Sequence, residues 1–395
     1  MDRIMEIRIR ADDERDAPEV TLFLPAMPYE LSDAIERAGI GGVTTPDIRI
    51  CGTGCEFDIL DECEPQCEGI YELNALAEKL SRMDWAQRCK FEGLVRMEIA
   101  KGSYEIGVGR LYDLASSVHC CRLLDVSTDD ALGRYVVDNG FFPEYIVLPD
   151  AVREKLDYAE IGKEVREAEG GVFIEEGFGY VTQESDMVEA FQHLDLTPKQ
   201  PDYTVLAEIG VMDTGRTAML KLPATAEEMS EALRRIGALT WAEVSYRIAD
   251  CRIPALCDAI AQTGEITVAD DMARELAKLT DEQVKLYKAV LTASNATDFS
   301  DAWGLLLHLD DYRLSHAISS YEEMARQKLA ELLKDGEVEN LLPHLNTYGY
   351  GKSIVNREHL ILTDFGAVGR KDGQPIRQIR AEDAPEMGGM EVMQT

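Results

Sequence analysis

The pattern of apolar and polar positions along the chain changes from strand to helix periodicity in a fixed order. Residues 5–10 and 20–24 alternate apolar and polar positions around an acidic turn, which predicts a β-hairpin. Apolar residues then recur at helical spacing over 31–38 and end at Gly39, a residue typical of helix C-termini. The same hairpin and helix are predicted again at 205–209, 219–222 and 226–236. A further strand is predicted after each helix, at 47–50 and 244–248.

The rest of each part also follows a shared order. Amphipathic helices are predicted at 70–83, 87–97, 268–279 and 283–291. A helix with an acidic first turn follows at 128–138 in the first part and at 320–333 in the second. The last stretch of each part predicts a short helix, a polar turn and a strand pair. The expected fold is therefore α+β, with a hairpin-helix-strand lobe, a helical lobe and a C-terminal α/β lobe.

Sequence identity between the two parts indicates an internal duplication. The segment from Val20 to Gly39 matches the segment from Ala218 to Gly237 at nine of twenty positions without a gap. The stretch from Leu156 to Val181 returns in weaker form from Leu345 to Val368. Because such repeats define the structural unit, we predict two tandem copies of an elongated module made of small α/β lobes. The expected boundaries are 1–183 for copy one, 184–202 for a linker, 203–369 for copy two and 370–395 for a disordered tail.

The charge balance separates this chain from ordinary globular proteins. Its 395 residues include 74 acidic and 40 basic side chains, a net charge of -34. Residues 1–200 carry 42 acids and 20 bases, hence -22, and residues 201–395 carry 32 and 20, hence -12. Such a charge predicts repulsion from nucleic acid and anionic membranes, and attraction to basic grooves. We therefore expect neither direct nucleic-acid binding nor membrane binding.

Cysteine usage and hydropathy indicate the compartment. Nine cysteines scattered through the chain suit a reducing environment better than a disulfide framework. The N-terminus has no signal-peptide pattern, and no apolar run approaches eighteen residues. These features predict a cytoplasmic protein. Four thiols, Cys51, Cys55, Cys63 and Cys67, have a CxxxC spacing that could hold a structural zinc, although ordinary buried or surface thiols are the expectation.

Catalytic motifs are missing from the sequence. The six histidines form no HxxxH or HExxH pattern, and no GxSxG, GxxxxGK[ST] or strand-linked GxGxxG occurs. We therefore predict no enzyme activity and no cofactor. Two rival classes use the same acidic residues: a nuclease-like or metal-dependent domain with clustered carboxylates, and an acidic scaffold that recruits a basic partner.

The arrangement of acidic residues carries the functional prediction. B-DNA has one charge per about 1.7 Å of axis, so -34 equals the phosphate charge of about 17 base pairs. Acids three or four residues apart on a helix, such as Glu160, Glu164 and Glu167, could imitate a row of phosphates, although a solvated helix face gives the same pattern. The predicted partner-binding surface consists of Glu72, Asp125, Asp129, Asp130, Asp138, Glu144, Asp157, Glu160, Glu164, Glu167, Glu169, Glu227, Glu228, Glu231, Asp310, Asp311, Glu322 and Glu323.

Several of these segments resemble the ArdA antirestriction family. Members carry an acidic helix with an Arg-Tyr pair, a Gly turn, a DYxxxG segment and a final strand pair. The matching residues here are Arg134, Tyr135, Gly140, Leu156, Asp157, Tyr158, Gly162 and Lys163, with Glu72, Leu73 and Asn74 at a family Glu-Leu-Asn. The resemblance covers nearly all of copy one and, more faintly, 203–368. Copy two departs from it, with Asn346 in place of the Asp and no Gly-Phe-Phe turn.

The resemblance implies a DNA mimic without catalytic residues, of the anti-defence kind carried by mobile genetic elements. Family members are elongated chains of three small α/β lobes that pair as dimers, and their acidic surface occupies the DNA groove of Type I restriction-modification enzymes. A chain with two copies would be a monomeric pseudo-dimer, with a homodimer as the alternative. Other targets with basic grooves, such as a CRISPR effector or another nuclease, remain open alternatives at this point.

Overall fold

A computed structural model describes most of the chain, and its helices and strands define an α+β protein. The described residues are 2–11, 18–40, 46–53, 57–63, 65, 67, 69–141, 148–174, 179–198, 200–212, 215–315, 318–334 and 336–377. Within these ranges, four small three-stranded antiparallel sheets alternate with helices, which confirms the predicted class. None of the helices found there has the length and apolar character needed to span a lipid bilayer.

The predicted hairpins, amphipathic helices and strand pairs occur in the expected order among the elements of the structure. The strands are β1 (Met5–Ala11), β2 (Val20–Leu24), β3 (Pro46–Thr53), β4 (Cys121–Leu124), β5 (Val172–Phe173), β6 (Tyr180–Gln183), β7 (Val205–Val211), β8 (Arg216–Leu222), β9 (Ser245–Cys251), β10 (Tyr312–Ser315), β11 (Ile361–Thr363) and β12 (Gly366–Arg370). The helices of the first half are α1 (Pro28–Arg37), α2 (Ile59–Glu62), α3 (Ile70–Ser81), α4 (Trp85–Ala100), α5 (Val108–Ser116), α6 (Asp129–Asp138), α7 (Asp150–Arg153) and α8 (Tyr158–Glu169). Those of the second half are α9 (Ala226–Ile236), α10 (Cys257–Gln262), α11 (Ile266–Lys278), α12 (Asp281–Ser294), α13 (Phe299–Leu307), α14 (Tyr321–Leu332), α15 (Glu337–Leu341) and α16 (Thr347–Arg357).

The chain forms two compact units by its internal contacts. The first unit contains Met1–Ala26 and Gly42–Pro198, and the second contains Met27–Gly41 and Lys199–Thr395. Helix α1 therefore belongs to the second unit, although it follows β2 of the first unit in sequence. The pattern of apolar residues predicts the helix itself, but not the unit in which it is packed.

The N-terminal sheets of the two units have the same topology. Their strand orders are β2-β1-β3 and β8-β7-β9. Strand β1 pairs Met5 with Leu24, and β7 pairs Val205 with Leu222. In both sheets the register of pairing with the third strand shifts shortly after this first pair, one or two residues beyond Met5 in β1 and beyond Val205 in β7. The alternating pattern of β1 buries one face completely, as the period of two residues predicts.

The C-terminal sheets also share one topology and one pattern of helix packing. Their strand orders are β4-β6-β5 in the first unit and β10-β12-β11 in the second. Helices α6 and α8 pack on the first of these sheets through Val136, Val165 and Tyr180. Helices α14 and α16 pack on the second through Met324 and Ile354. The last predicted lobe of each part is therefore a helix pair on a three-stranded sheet.

Reciprocal side-chain caps fix the starts of four long helices. In each case the N-cap side chain accepts the N3 backbone N–H, and the N3 side chain accepts the N-cap N–H. The cap pairs are Asp84 with Gln87, Thr225 with Glu228, Thr280 with Gln283 and Ser320 with Glu323. Because each pair satisfies two N–H groups that the helix leaves without a partner, these helix starts can be identified from the sequence alone.

Ion pairs and hydrogen bonds hold α1 in the second unit. The buried ammonium group of Lys288 lies 2.6 Å from a carboxylate oxygen of Asp33 and 2.9 Å from one of Glu36. Burial alone would raise the pKa of Glu36, but the neighbouring ammonium groups of Lys288 and Lys285 together hold the pKa below its ordinary value. At the other end of α1, Tyr29 donates its backbone N–H to Asp250 at 3.1 Å. These residues are far apart in sequence, so their pairing is set by the tertiary fold.

The predicted linker and the predicted tail both make contacts with the units where the structure describes them. In the predicted linker, Ala190 and Phe191 donate their backbone N–H groups to the Asp113 carboxylate of α5, at 2.7 and 2.8 Å. Residues 184–198 therefore attach to the first unit. In the predicted tail, Ile376 is buried in the core of the second unit. Residues 378–395 lie outside the described part of the chain.

Candidate acidic interaction surface

The helix pair α6–α8 positions an acidic surface of the first unit, and two glycines allow the helices to touch. A Cβ atom on Gly162 would lie 1.8 Å from the Asp129 carbonyl oxygen, and one on Gly133 would lie 1.9 Å from that of Tyr158. Glycine is therefore required at both positions for this close backbone approach. The second unit repeats the contact, because a Cβ on Gly351 of α16 would lie 1.7 Å from the Tyr321 carbonyl oxygen of α14.

The residues of the DYxxxG segment have structural roles in this helix pair. Asp157 caps α8 by accepting the backbone N–H of Glu160 at 3.1 Å. The Tyr158 hydroxyl donates to the Arg153 carbonyl oxygen at 2.9 Å, and the Arg134 guanidinium lies 4.5 Å from the centroid of the Tyr158 ring. Together with the tight contact at Gly162, these interactions fix the angle and start of α8. The segment therefore specifies how the helix pair packs.

In the second unit an asparagine stands where the first unit has Asp157, and it preserves the helix N-cap. Asn346 caps α16 by accepting the backbone N–H of Gly349 at 2.8 Å. Asp and Asn are about equally good N-cap residues. The presence of Asn346 in the second unit, where the first unit has Asp157, therefore preserves the N-cap interaction.

We expect Asp157→Asn to leave stability within about 0.5 kcal/mol of the parent chain, because the amide oxygen can accept the same N–H. Asp157→Ala removes the acceptor and should cost about 1 kcal/mol. Hydrogen exchange of the first-turn amides of α8 measures the difference. Equal losses in the two variants would show that the negative charge of Asp157, and not its cap, is what the fold requires.

The exposed face of α8 carries a stripe of three carboxylates. Glu160, Glu164 and Glu167 lie at positions i, i+4 and i+7, hence on one side of the helix, and all three are exposed. Lys163 lies beside this stripe, with its ammonium group 3.8 Å from Glu160. Within the described part of the chain, neither Glu164 nor Glu167 forms an ion pair within 4 Å, although the charge of Glu167 contributes to the raised pKa of Arg166. These two carboxylates are therefore available to a partner.

Other predicted acids of the same lobe are partly neutralised. Both carboxylate oxygens of Asp129 accept from Arg166, at 2.8 and 3.1 Å, and this hydrogen bond raises the pKa of Arg166. Asp130 binds Arg134 at 2.8 Å in the same manner. Glu169 lies 3.4 Å from Arg122 and accepts from the Tyr180 hydroxyl at 3.1 Å. Asp125 and Asp138 are exposed.

The predicted acids of the second unit have several local roles. Glu228 and Glu323 complete capping boxes, and the backbone hydrogen bond from Thr225 lowers the pKa of Glu228. Glu231 pairs with Arg234 and Arg235, one turn along α9. The other acids of the predicted surface in the second unit are exposed, namely Glu227, Asp310, Asp311 and Glu322. In the first unit, Glu72 is half-buried in the first turn of α3, and Glu144 lies outside the described residues.

Charge is distributed unequally between the equivalent helix pairs. Helix α8 has four acids and two bases, net -2, and α6 has three acids and one base, net -2. Helix α16 has two bases and no acid, net +2, and α14 has three acids and two bases, net -1. Gly349, Ser353 and Asn356 take the places of the three stripe carboxylates. The acidic face is therefore a property of the first unit, and aligning the two repeats in the sequence would have been enough to find this asymmetry.

The cysteine segment gives little support to a metal site where it is described. Cys63 is buried, its thiol donates to the Leu60 carbonyl oxygen at 3.6 Å, and burial raises its pKa to about 12. A raised pKa disfavours the thiolate that zinc requires. Cys51 is exposed on β3, and Cys55 lies outside the described residues. Among described side chains, no group of three or more His, Cys, Asp or Glu could hold a metal ion.

No protein-family model matches the chain, and no curated protein matches it at a significant level.

Proposed function

We propose that this chain is an anti-defence protein that mimics DNA and occupies the DNA-binding groove of a Type I restriction-modification enzyme. The observation that carries the proposal is the exposed carboxylate stripe of α8 in a chain with a net charge of -34. Groove-lining Lys and Arg side chains bind phosphates without reading sequence. A fixed row of carboxylates offers the same charge to the same cations.

The spacing of the stripe supports this proposal. A rise of about 1.5 Å per residue places Glu164 about 6 Å from Glu160 along the axis of α8, and Glu167 about 4.5 Å further. One DNA strand carries a charge every 3.4 Å or so of helix axis. The two spacings are of the same order, so neighbouring cations of a DNA groove could each meet one carboxylate. The tight α6–α8 contact fixes the helix backbone that carries the row, which reduces part of the entropic cost of binding.

The shared topology of the two units supports an internal duplication of one ArdA-like module, over 1–183 and 203–369. A covalent pair of modules would replace the dimer that the family resemblance implies. A monomer of 44.0 kDa is then the functional particle. Light scattering that found only a particle of twice this mass would favour the alternative homodimer.

An inhibition assay tests the proposed function. Purified chain is added to a Type I enzyme with plasmid DNA that contains its recognition site, at about 50 mM salt. We expect cleavage to be inhibited, and excess duplex DNA to restore it, because both ligands bind the same groove. Polyglutamate at the same total charge should inhibit far less, since its carboxylates are not held in place. Cleavage that continues unchanged across several Type I enzymes, with inhibition of a CRISPR effector or another nuclease instead, would move the proposal to that class.

A further inference from the structure

The second unit contains a small cavity with two aromatic side chains in its wall. Its volume is about 260 Å³, and Trp241, Val244 and Tyr246 line one side. The start of α11, from Glu265 to Thr267, lines the other side. Trp241 and Tyr246 are partly buried and pack on the core of the second unit, so the cavity is bounded by supported rings. Neither the helix pairs nor the acidic stripe uses this site.

One carboxylate determines the charge of the cavity. Glu265 is exposed at the N-cap of α11, and its side chain makes no capping hydrogen bond. A helix N-terminus carries a partial positive charge of about half a unit, which is smaller than the full negative charge of Glu265. No Lys, Arg or His is among the described residues that line the cavity. The lining of the cavity therefore carries a net negative charge.

Exposed apolar side chains flank the same end of the sheet. Leu239 is 87% exposed and precedes Trp241 by two residues, and Met212 is 86% exposed and follows the end of β7. The pairing of Gly210 with Ser245 brings that end of β7 to the start of β9, where Val244 and Tyr246 lie. Single exposed apolar residues are ordinary. Two of them beside an aromatic cavity have the composition of a protein interaction site.

The equivalent position in the first unit lacks these features. In the first unit, β1 pairs Ile9 with Ile48. At the equivalent position of the second unit, β7 pairs Ile209 with Tyr246, so the first unit has Ile48 where the second has the tyrosine. The N-cap of α3 is Gly69, which replaces Glu265. Both units nevertheless have the same sheet. The aromatic ring and the carboxylate are therefore not needed to build the lobe.

We propose that this cavity binds an arginine side chain presented by a basic partner protein. The planar guanidinium would stack on Trp241 or Tyr246 and pair with Glu265, while Leu239 and Met212 contact apolar residues beside the arginine. Arginine suits the site better than lysine, because its guanidinium is planar, weakly hydrated and stacks on aromatic rings. The identification of the partner as a DNA-binding enzyme rests on the proposed function, whereas the arginine site itself does not.

Titration of the full chain with acetyl-arginine amide, followed through the tryptophan indole N–H signals in NMR spectra, tests the site. The chain has three tryptophans, and Trp241→Phe assigns the relevant signal. We expect the Trp241 signal to shift with saturation in the millimolar range, while Trp85 and Trp303 stay in place. Acetyl-citrulline amide has the same shape without the charge, and should bind at least three times more weakly.

Glu265→Gln is the matched variant, since it keeps the shape of the exposed side chain and removes the charge. It should weaken binding of acetyl-arginine amide about threefold to fivefold, as expected for a single partly exposed ion pair. No shift at Trp241, or equal shifts with the citrulline ligand and in the variant, would overturn the proposal. This assay contains no defence enzyme, so its failure is distinguishable from failure of DNA mimicry.

Discussion

Gly162→Ala is expected to destabilise the α6–α8 lobe of the first unit by about 3 kcal/mol, at the upper end of the usual cost of overpacking. The new Cβ would lie 1.8 Å from the Asp129 carbonyl oxygen, so the two helices must separate by more than 1 Å or so to relieve the clash. Because the chain has several lobes, a local measurement is needed. Hydrogen exchange of the α8 amides should become about a hundredfold faster.

Two further variants control this result. Gly351→Ala introduces the equivalent clash, 1.7 Å from the Tyr321 carbonyl oxygen, and should accelerate exchange in α14 and α16. Gly304 lies inside α13, and a Cβ atom at this position would meet no neighbouring atom within 4 Å. Gly304→Ala should therefore stabilise α13 by about 0.5–1 kcal/mol. If Gly162→Ala left exchange in α8 unchanged, the close packing of the helix pair would be wrong.

Replacing Glu160, Glu164 and Glu167 together by glutamine is expected to weaken binding to the target enzyme and to make it less sensitive to salt. Each phosphate-like contact contributes about 0.9 to the slope of log K against log salt, so the slope should fall by up to about 2.7. Between 50 and 200 mM salt, this corresponds to a change of up to about 40-fold in the ratio of parent to variant affinity. Affinity measured over that range gives both values.

The control removes the same number of charges at acids that already have a cationic partner. Glu78, Asp202 and Glu275 pair with Arg82, Lys221 and Lys278 on the surface. Their replacement by Gln, Asn and Gln should change stability little, since exposed pairs contribute about 0–1 kcal/mol each. Affinity should fall much less than in the α8 variant. Equal losses in the two triple variants would mean that only net charge matters, and that the stripe has no special role.

Local rules were sufficient to predict most elements of this fold from the sequence. The alternation in β1 and β2 predicted the first hairpin, and the pair Thr225 and Glu228 marks the start of α9, which occupies the predicted residues 226–236. The repeat around Gly162 and Gly351 predicted an equivalent short helix and strand pair in each part. These signals lie within short stretches of chain, where periodicity and capping decide the structure.

Contacts between distant residues could not be predicted in this way. Asp113 binds the backbone of Ala190, 77 positions away, and thereby ties down a segment whose prolines and polar residues predicted a linker. Arg166 binds Asp129, 37 positions away, which removes one acid from the surface predicted to bind a partner. Such pairs depend on how whole elements pack, so an acid-rich sequence alone overestimates the number of carboxylates available to a partner.

The most direct test of the central claim is the apparent dissociation constant of the complex with a Type I enzyme, measured at increasing concentrations of duplex DNA that carries the recognition site. Competition for one groove predicts a linear rise, with the constant doubled when free DNA equals its own dissociation constant. A constant that does not change as DNA is added, with all three molecules in one complex, would contradict the claim that these carboxylates take the place of DNA phosphates.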